Sequence, residues 1–211
     1  IDFEPVINVF YVIETLVVHP SLGVDTLAQL NDLAKSKPGV LNYATPASFV
    51  TLFMENYKRT AGVDIRQIPY KGGAPAVTAV IAGEVQVAYF AMSNVLGILK
   101  SGRVKALAID SLVRSPLLPD VLTFRESGYA GGVPLRAWFG IVAPKGTPRA
   151  VITRLNAEIA KIAGTPQFLN QFIHGQGLEP ILKTPEDFAR QLNEDRKTAE
   201  RLIRQAGLQP Q

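Results

Sequence analysis

The chain contains no cysteine. It therefore has no disulfide, no thiolate metal site and no thiol nucleophile, a composition compatible with an oxidising compartment. Histidine occurs only at His19 and His174. Neither has a second histidine or a carboxylate at ligand spacing, so no metal site is expected. A G-x-S-x-G elbow and a phosphate-binding glycine loop are also missing, which counts against an α/β hydrolase or transferase. Glu4 and Glu14 make a conceivable carboxylate pair, but nothing in the sequence places them together. No apolar run reaches the roughly 18 to 20 residues of a membrane span, so no direct membrane insertion is expected. The formal charge is +4. Basic residues such as Lys35, Lys58, Arg103 and Arg196 are scattered rather than gathered among aromatics, and no nucleic-acid surface is expected.

What is present is an alternation of short apolar strands and amphipathic helices. Residues Ile1 to Val18 fit two buried strands broken near Glu14 and Thr15. Asp25 or Thr26 caps a helix whose apolar positions are Leu27, Leu30, Leu33 and Ala34. A strand over Val40 to Ala44 runs into a helix started by Thr45-Pro46-Ala47-Ser48, with Phe49, Leu52, Phe53 and Tyr57 at helical spacing and Gly62 as its stop. Ile65 to Tyr70 is the next strand. Gly72 and Gly73 then turn the chain into a helix opened by Pro75 and closed at Gly83, and a buried strand follows to Phe90. A helix over Ser93 to Lys100 and a strand over Val104 to Ile109 complete a series that implies a mostly parallel α/β sheet.

Between Asp110 and Pro134 the pattern gives way to Pro, Gly, Ser and Arg, including Gly131 and Gly132. This stretch reads as a crossover between lobes. Leu135 to Ala143 is strand-like around Trp138. Pro148 then opens a helix with Ile152, Leu155, Ile159 and Ile162 on one face. Further helices start at Thr165-Pro166 and Thr184-Pro185, and the last buries Phe188, Leu192, Leu202 and Ile203.

In open α/β sheets ligands bind beyond the carboxyl ends of strands, where helix N-termini present unpaired amides. The first such place is Tyr43-Ala44-Thr45-Pro46-Ala47-Ser48-Phe49. With Thr45 as N-cap and Pro46 as first helical residue, the amides of Ala47, Ser48 and Phe49 face an anion at the positive end of the helix dipole. Tyr70, Gly72 and Gly73 form the second place, since glycine lets ligand and backbone approach closely. Phe90, Ala91 and Ser93 form the third, where a buried strand meets a helix capped by Ser93. Lys71 reads as a solvated surface lysine, His19 as a turn residue, and Arg114 and Glu126 as local anchors of the crossover.

Five segments occur in the order and spacing of a known family. They are Pro38-Gly39-Val40-Leu41-Asn42-Tyr43-Ala44, the Tyr70 to Pro75 turn, Lys100 to Ala108, Leu118-Pro119-Asp120-Val121-Leu122-Thr123, and Trp138-Phe139-Gly140-Ile141-Val142-Ala143-Pro144. Together they resemble the substrate-binding receptors of tripartite tricarboxylate transporters, the Bordetella uptake gene type of periplasmic solute-binding protein. The resemblance implies a two-lobed α/β protein of the type II periplasmic-binding-protein fold, with mixed, mostly parallel sheets flanked by helices. It places residues 1–13 as hinge strand and part of lobe one, 14–134 as lobe two, and 135–211 as the return segment of lobe one. Those receptors are longer at the N-terminal side, so the chain reads as a piece lacking most of the first lobe's sheet. The implied role is an extracytoplasmic, non-enzymatic receptor without cofactor. It would pass a small organic acid to the membrane subunits of the transporter.

The family's carboxylate-binding loop falls on Tyr43 to Phe49, where its usual glycines are replaced by Thr45-Pro46-Ala47. That departure points to one carboxylate on an apolar or aromatic body rather than a small symmetric dicarboxylate. The competing expectation is the effector-binding domain of a transcription regulator, which shares the two-lobed plan and would be preceded by a helix-turn-helix.

Overall fold

The computed structural model describes residues 2–129 and 133–208, so Ile1, Gly131 and Gly132 lie outside the described residues. The chain forms two compact units, one of Ile1–Val12 with Leu135–Arg201 and one of Ile13–Pro134 with Leu202–Gln211. Two strands open the chain, β1 (Phe3–Val12) and β2 (Glu14–Val18). They part at Ile13, because Glu14 and Thr15, expected at the break, are already paired with Ala91 and Phe90.

The second unit continues through α1 (Leu27–Ser36), β3 (Asn42–Thr45), α2 (Ser48–Ala61), β4 (Arg66–Pro69), α3 (Gly73–Ala82), β5 (Val87–Ala91), α4 (Met92–Lys100) and β6 (Lys105–Ile109). Its five strands lie in the order β4-β3-β5-β2-β6. β3 runs parallel to β4 and β5, whereas β2 runs antiparallel to both β5 and β6. Four strands therefore point one way and β2 alone is reversed. A sheet covered on both faces needs apolar residues on both sides of its strands. Accordingly, every residue of β2 is buried. Leu16, Val18, Tyr43 and Tyr89 pack with Leu30, Phe53 and Tyr57 of α1 and α2 on one face. Val17, Ala44, Ala88 and Phe90 pack with Ala76, Val80 and Val95 of α3 and α4 on the other.

Between β6 and β7 the described residues form no helix or strand, yet the segment is anchored. Phe124 and Tyr129 are buried in the first of these clusters. Arg114 donates from Nε to Glu126 Oε1 at 3.0 Å, and Glu126 Oε2 accepts the Thr123 amide at 2.9 Å.

The first unit holds β7 (Trp138–Pro144), α5 (Arg149–Ala163), the single turn α6 (Pro166–Phe168), β8 (Leu178–Pro180) and α7 (Pro185–Ala206), whose last residues belong to the second unit. Its sheet has the order β7-β1-β8 and is antiparallel throughout, so the expected parallel preponderance is confined to the larger sheet. The apolar face expected of α5 is rotated. Ile152 is buried, Leu155 and Ile162 are exposed, and Asn156 lies inward, donating from Nδ2 to the carbonyls of Val6 at 2.9 Å and Lys183 at 3.0 Å. Those carbonyls need a donor, and the amide at this position of the helix supplies it.

Candidate functional site

The parallel strands β3, β4 and β5 end at one edge of the larger sheet, and a helix follows each, α2, α3 and α4. Thr26 caps α1 by a reciprocal capping box with Gln29. At the three helices of the shared edge no side chain does this work: the N-caps of α2, α3 and α4 are Ala47, Gly72 and Ala91, and none makes a side-chain cap hydrogen bond. These helices begin at one edge of the sheet, α2 on one face and α3 and α4 on the other, and the first amide of α4, that of Met92, donates to the Ile13 carbonyl at 2.8 Å.

The details differ from the expectation in three places. Thr45 is the last residue of β3 rather than the cap of α2. Its hydroxyl accepts from Gln67 Nε2 at 3.0 Å and donates to the Ile68 carbonyl at 3.4 Å, so neighbouring β4 claims it. Pro46 consequently lies outside the helix, which begins at Ser48. Ser93 sits inside α4, because β5 passes into the helix at Ala91 without a linker. Gly72 takes φ 102°, a left-handed value that requires glycine where the chain turns into α3.

Of the expected ligand residues, Ala47 and Ser48 are exposed and Phe49 is half-buried. Gly72, Gly73 and Tyr70 are half-buried, as is Ala91, and Ser93 is exposed. These stand at the shared edge. Tyr43, Ala44 and Phe90 are core residues instead, sealed between sheet and helices. The Tyr43 hydroxyl donates to Glu55 Oε1 at 2.7 Å, and burial together with that carboxylate pushes its pKa up. Periodicity marked these three as strand residues but did not show that helices cover both faces there.

A buried polar group at the same edge was missed. Glu14, 7% exposed, opens β2 opposite Ala91, and Asp110, 3% exposed, follows β6. The Asp110 amide donates to the Glu14 carbonyl at 2.8 Å. The Tyr89 hydroxyl lies 3.4 Å from Asp110 Oδ2. Strand alternation puts Glu14 on the side of Leu16 and Tyr89, the side covered by α2, and the Tyr89 ring lies 6.3 Å from that of Phe49. Desolvation, aided by the charge of Asp110, pushes the Glu14 carboxyl up to about 8. The signal in the sequence was a single acid at the head of the apolar run Thr15 to Val18.

Other features lie elsewhere. A cavity of about 350 Å³ is lined by Glu55, Asn56, Arg59 and Val63 of the far half of α2 and its exit and by Leu202 and Gln205. At about 1.5 Å per residue along α2, it is on the order of 15 Å from Ser48. Trp138 is bound within the first unit, with its Nε1 donating to Asp195 Oδ2 at 3.1 Å and its ring edge-on to Phe188. His19 caps a short turn by accepting the Ser21 amide. Among the described residues no group of three or more His, Cys, Asp or Glu side chains is placed to hold a metal ion, and no helix is long and apolar enough to cross a membrane.

The family described as "Tripartite tricarboxylate transporter family receptor" matches residues 1–208. Protein BugT of Bordetella pertussis is 36% identical over 187 residues, covering 88% of this chain and 57% of BugT. The solved structure of R. palustris Rpa4515 with adipate superposes with a TM-score of 0.87 at 31% identity, covering 100% of this chain and 70% of that one. MatC (Rpa3494) from Rhodopseudomonas palustris, with bound malate, gives a TM-score of 0.78 at 26% identity, covering 95% and 69%. The chain spans about 60% of the length of the curated relatives it matches.

Proposed function

Because the chain belongs to the tripartite tricarboxylate transporter receptor family, we propose that it forms the larger part of a periplasmic receptor that captures a small carboxylate-bearing anion and passes it to the membrane subunits of the transporter. In this reading the unit of residues 13–134 is the ligand-binding lobe and the unit containing β1, β7 and α5 is part of the other. The observation that carries it is the edge at which α2, α3 and α4 all begin without a side-chain cap. Their amides suit a carboxylate, which satisfies several donors at once and gains from the helix dipoles. The adipate and malate held by the two solved relatives are acids of this class. Ala47, Ser48, Phe49, Gly72, Gly73, Tyr70, Ala91 and Ser93 are the proposed contact residues, with Phe49 and Tyr70 against the ligand body. A receptor of this kind holds its ligand without transforming it, and the role calls for no catalytic group.

A thermal-shift screen of the full chain against mono- and dicarboxylates, amino acids and aromatic acids tests this. A ligand that binds the native state raises the melting temperature by mass action. We expect a shift with one class of acid that is lost in Ser48→Pro, which deletes one first-turn amide at a helical position that tolerates proline. Absence of a shift with every acid would overturn the reading.

A further inference from the structure

We infer that the cavity between the far half of α2 and the last turn of α7 binds a small monocarboxylate with an apolar body, its carboxylate seated on Arg59. The cavity, of about 350 Å³, is lined by Asn56, Arg59 and Val63 from α2 and its exit and by Leu202, Gln205 and Ala206 from α7. All of these residues belong to the second unit. Sites that hold small molecules run from roughly 300 to 1,000 Å³ and combine apolar walls with a few fixed polar groups. This cavity lies at the lower end of that range, which suits a small ligand. Val63 and Leu202 are buried and supply the apolar wall. Arg59 is the fixed polar group. Its Nη2 donates to Asn56 Oδ1 at 2.9 Å, and Asn56 Nδ2 donates to the Tyr129 hydroxyl at 3.1 Å. Asn56 and Tyr129 are 6% and 7% exposed, so a buried network holds the guanidinium in place.

The charges around the cavity leave that guanidinium to an anion. Glu55 is the one acid among the lining residues. Its Oε1 accepts from Lys58 at 2.9 Å and from the Tyr43 hydroxyl at 2.7 Å, and its Oε2 accepts from Lys58 at 3.2 Å. Lys58 is therefore occupied, and it also lies 5.7 Å from the centre of the Tyr43 ring. Arg59 forms no ion pair among the described residues, and its hydrogen-bond partner is the neutral amide of Asn56. Leu202, Gln205 and Ala206 bring no charge to the cavity. A carboxylate accepts two parallel hydrogen bonds from a guanidinium fork and balances its charge. Val63, Leu202 and Ala206 would then take the apolar body out of water. At about 1.5 Å per residue along α2, this place is on the order of 15 Å from Ser48. It is separate from the helix-start edge, and the inference does not depend on the receptor reading.

Methyl NMR of the full chain tests this, with benzoate as the probe. Titration to about 10 mM suffices, since a ligand this small binds a formed pocket with a Kd on the order of 1 mM. The methyl signals of Val63 and Leu202 are expected to shift and saturate under the ring current of the bound probe. Arg59→Gln, which puts a neutral donor at an exposed position, should weaken that binding about tenfold. Ala206→Trp, which fills the cavity and leaves Arg59 in place, should abolish it. Methyl signals that stay in place throughout the titration overturn the inference. Equal affinity in Arg59→Gln, or shifts that persist in Ala206→Trp, overturn it as well. Inorganic phosphate moving the same signals at the same concentrations would overturn the choice of a carboxylate with an apolar body. None of these outcomes bears on the receptor reading.

Discussion

The rings of Phe53 on α2 and Tyr89 on β5 are stacked, with centroids 3.7 Å apart and planes 9° from parallel. Phe124 meets both edge-on, at 5.3 Å and 6.3 Å. This aromatic cluster joins helix, sheet and the segment after β6 directly beneath the edge where α2 begins. Phe53→Ala is expected to cost about 3–5 kcal/mol through lost burial and a cavity. In urea the unfolding midpoint should drop with little change of slope. A loss under about 1 kcal/mol would mean that the neighbouring rings close the gap.

Glu14 gives the second unit a specific dependence on pH. Its carboxyl is raised from 4.5 to about 8, so the folded state holds a proton that the unfolded chain releases above its own pKa. The stability this contributes is fully present below about pH 4.5 and is lost as pH rises toward 8. A one-unit displacement is worth about 1.4 kcal/mol, so the full effect is a few kcal/mol. Glu14→Gln should remove most of that slope and be the more stable chain at pH 8.5. Unfolding in urea at pH 5.5, 7 and 8.5 measures it, and parallel curves for the two chains would refute the assignment.

Two glycines should respond to alanine with opposite signs. A β-carbon on Gly140 would lie 2.8 Å from the Ile7 carbonyl oxygen and 2.8 Å from Phe188 Cζ. Backbone cannot yield there, so Gly140→Ala is expected to cost about 1–3 kcal/mol. Gly97, within α4, has nothing within 4 Å of the same position. Gly97→Ala should stabilise by roughly 0.5–1 kcal/mol through helix propensity and unfolded-state entropy. Thermal unfolding of the two single variants, compared with wild type, reads both signs.

Asp195 ties α7 to the first unit's sheet. It accepts from Trp138 Nε1 at 3.1 Å and from Gln191 Nε2 at 3.2 Å, and Gln191 Oε1 in turn accepts from the buried Asn8 at 2.8 Å. Asp195→Ala leaves the half-buried Trp138 and the buried Gln191 without this acceptor and should cost about 1–3 kcal/mol. Asp195→Asn keeps an acceptor and should cost less. Tryptophan fluorescence follows the change directly, since Trp138 is the only tryptophan.

What the sequence made legible was local. A helix cap at Asp25 or Thr26, the stops at Gly62 and Gly83, and the glycine turn into α3 are each written within a few residues, and the structure takes Thr26 as the cap and puts the other three in place. The site edge was legible as a series of strand-to-helix turns for the same reason. What stayed hidden depends on partners distant in sequence. Thr45 has the composition of a helix cap, but Gln67 and Ile68 on the next strand take its hydroxyl. Asn156 interrupts the apolar face of α5 because its amide donates to two carbonyls beneath it, those of Val6 and Lys183. Glu14 acquires its chemistry from burial first and from Asp110 second, and the pairing of β2 with β6 sets both.

The reversed strand β2 also governs how the second unit can assemble. It leaves the ribosome before any other strand of its sheet, yet it pairs with Val87–Ala91 on one side and Lys105–Ile109 on the other. Its five residues must wait through the synthesis of those partners with no local pairing available, and such non-local pairing is slow to form. The sheet therefore closes late, when β6 arrives. Changes in β2 should alter the rate of folding and the yield of soluble chain more than their effect on final stability would suggest.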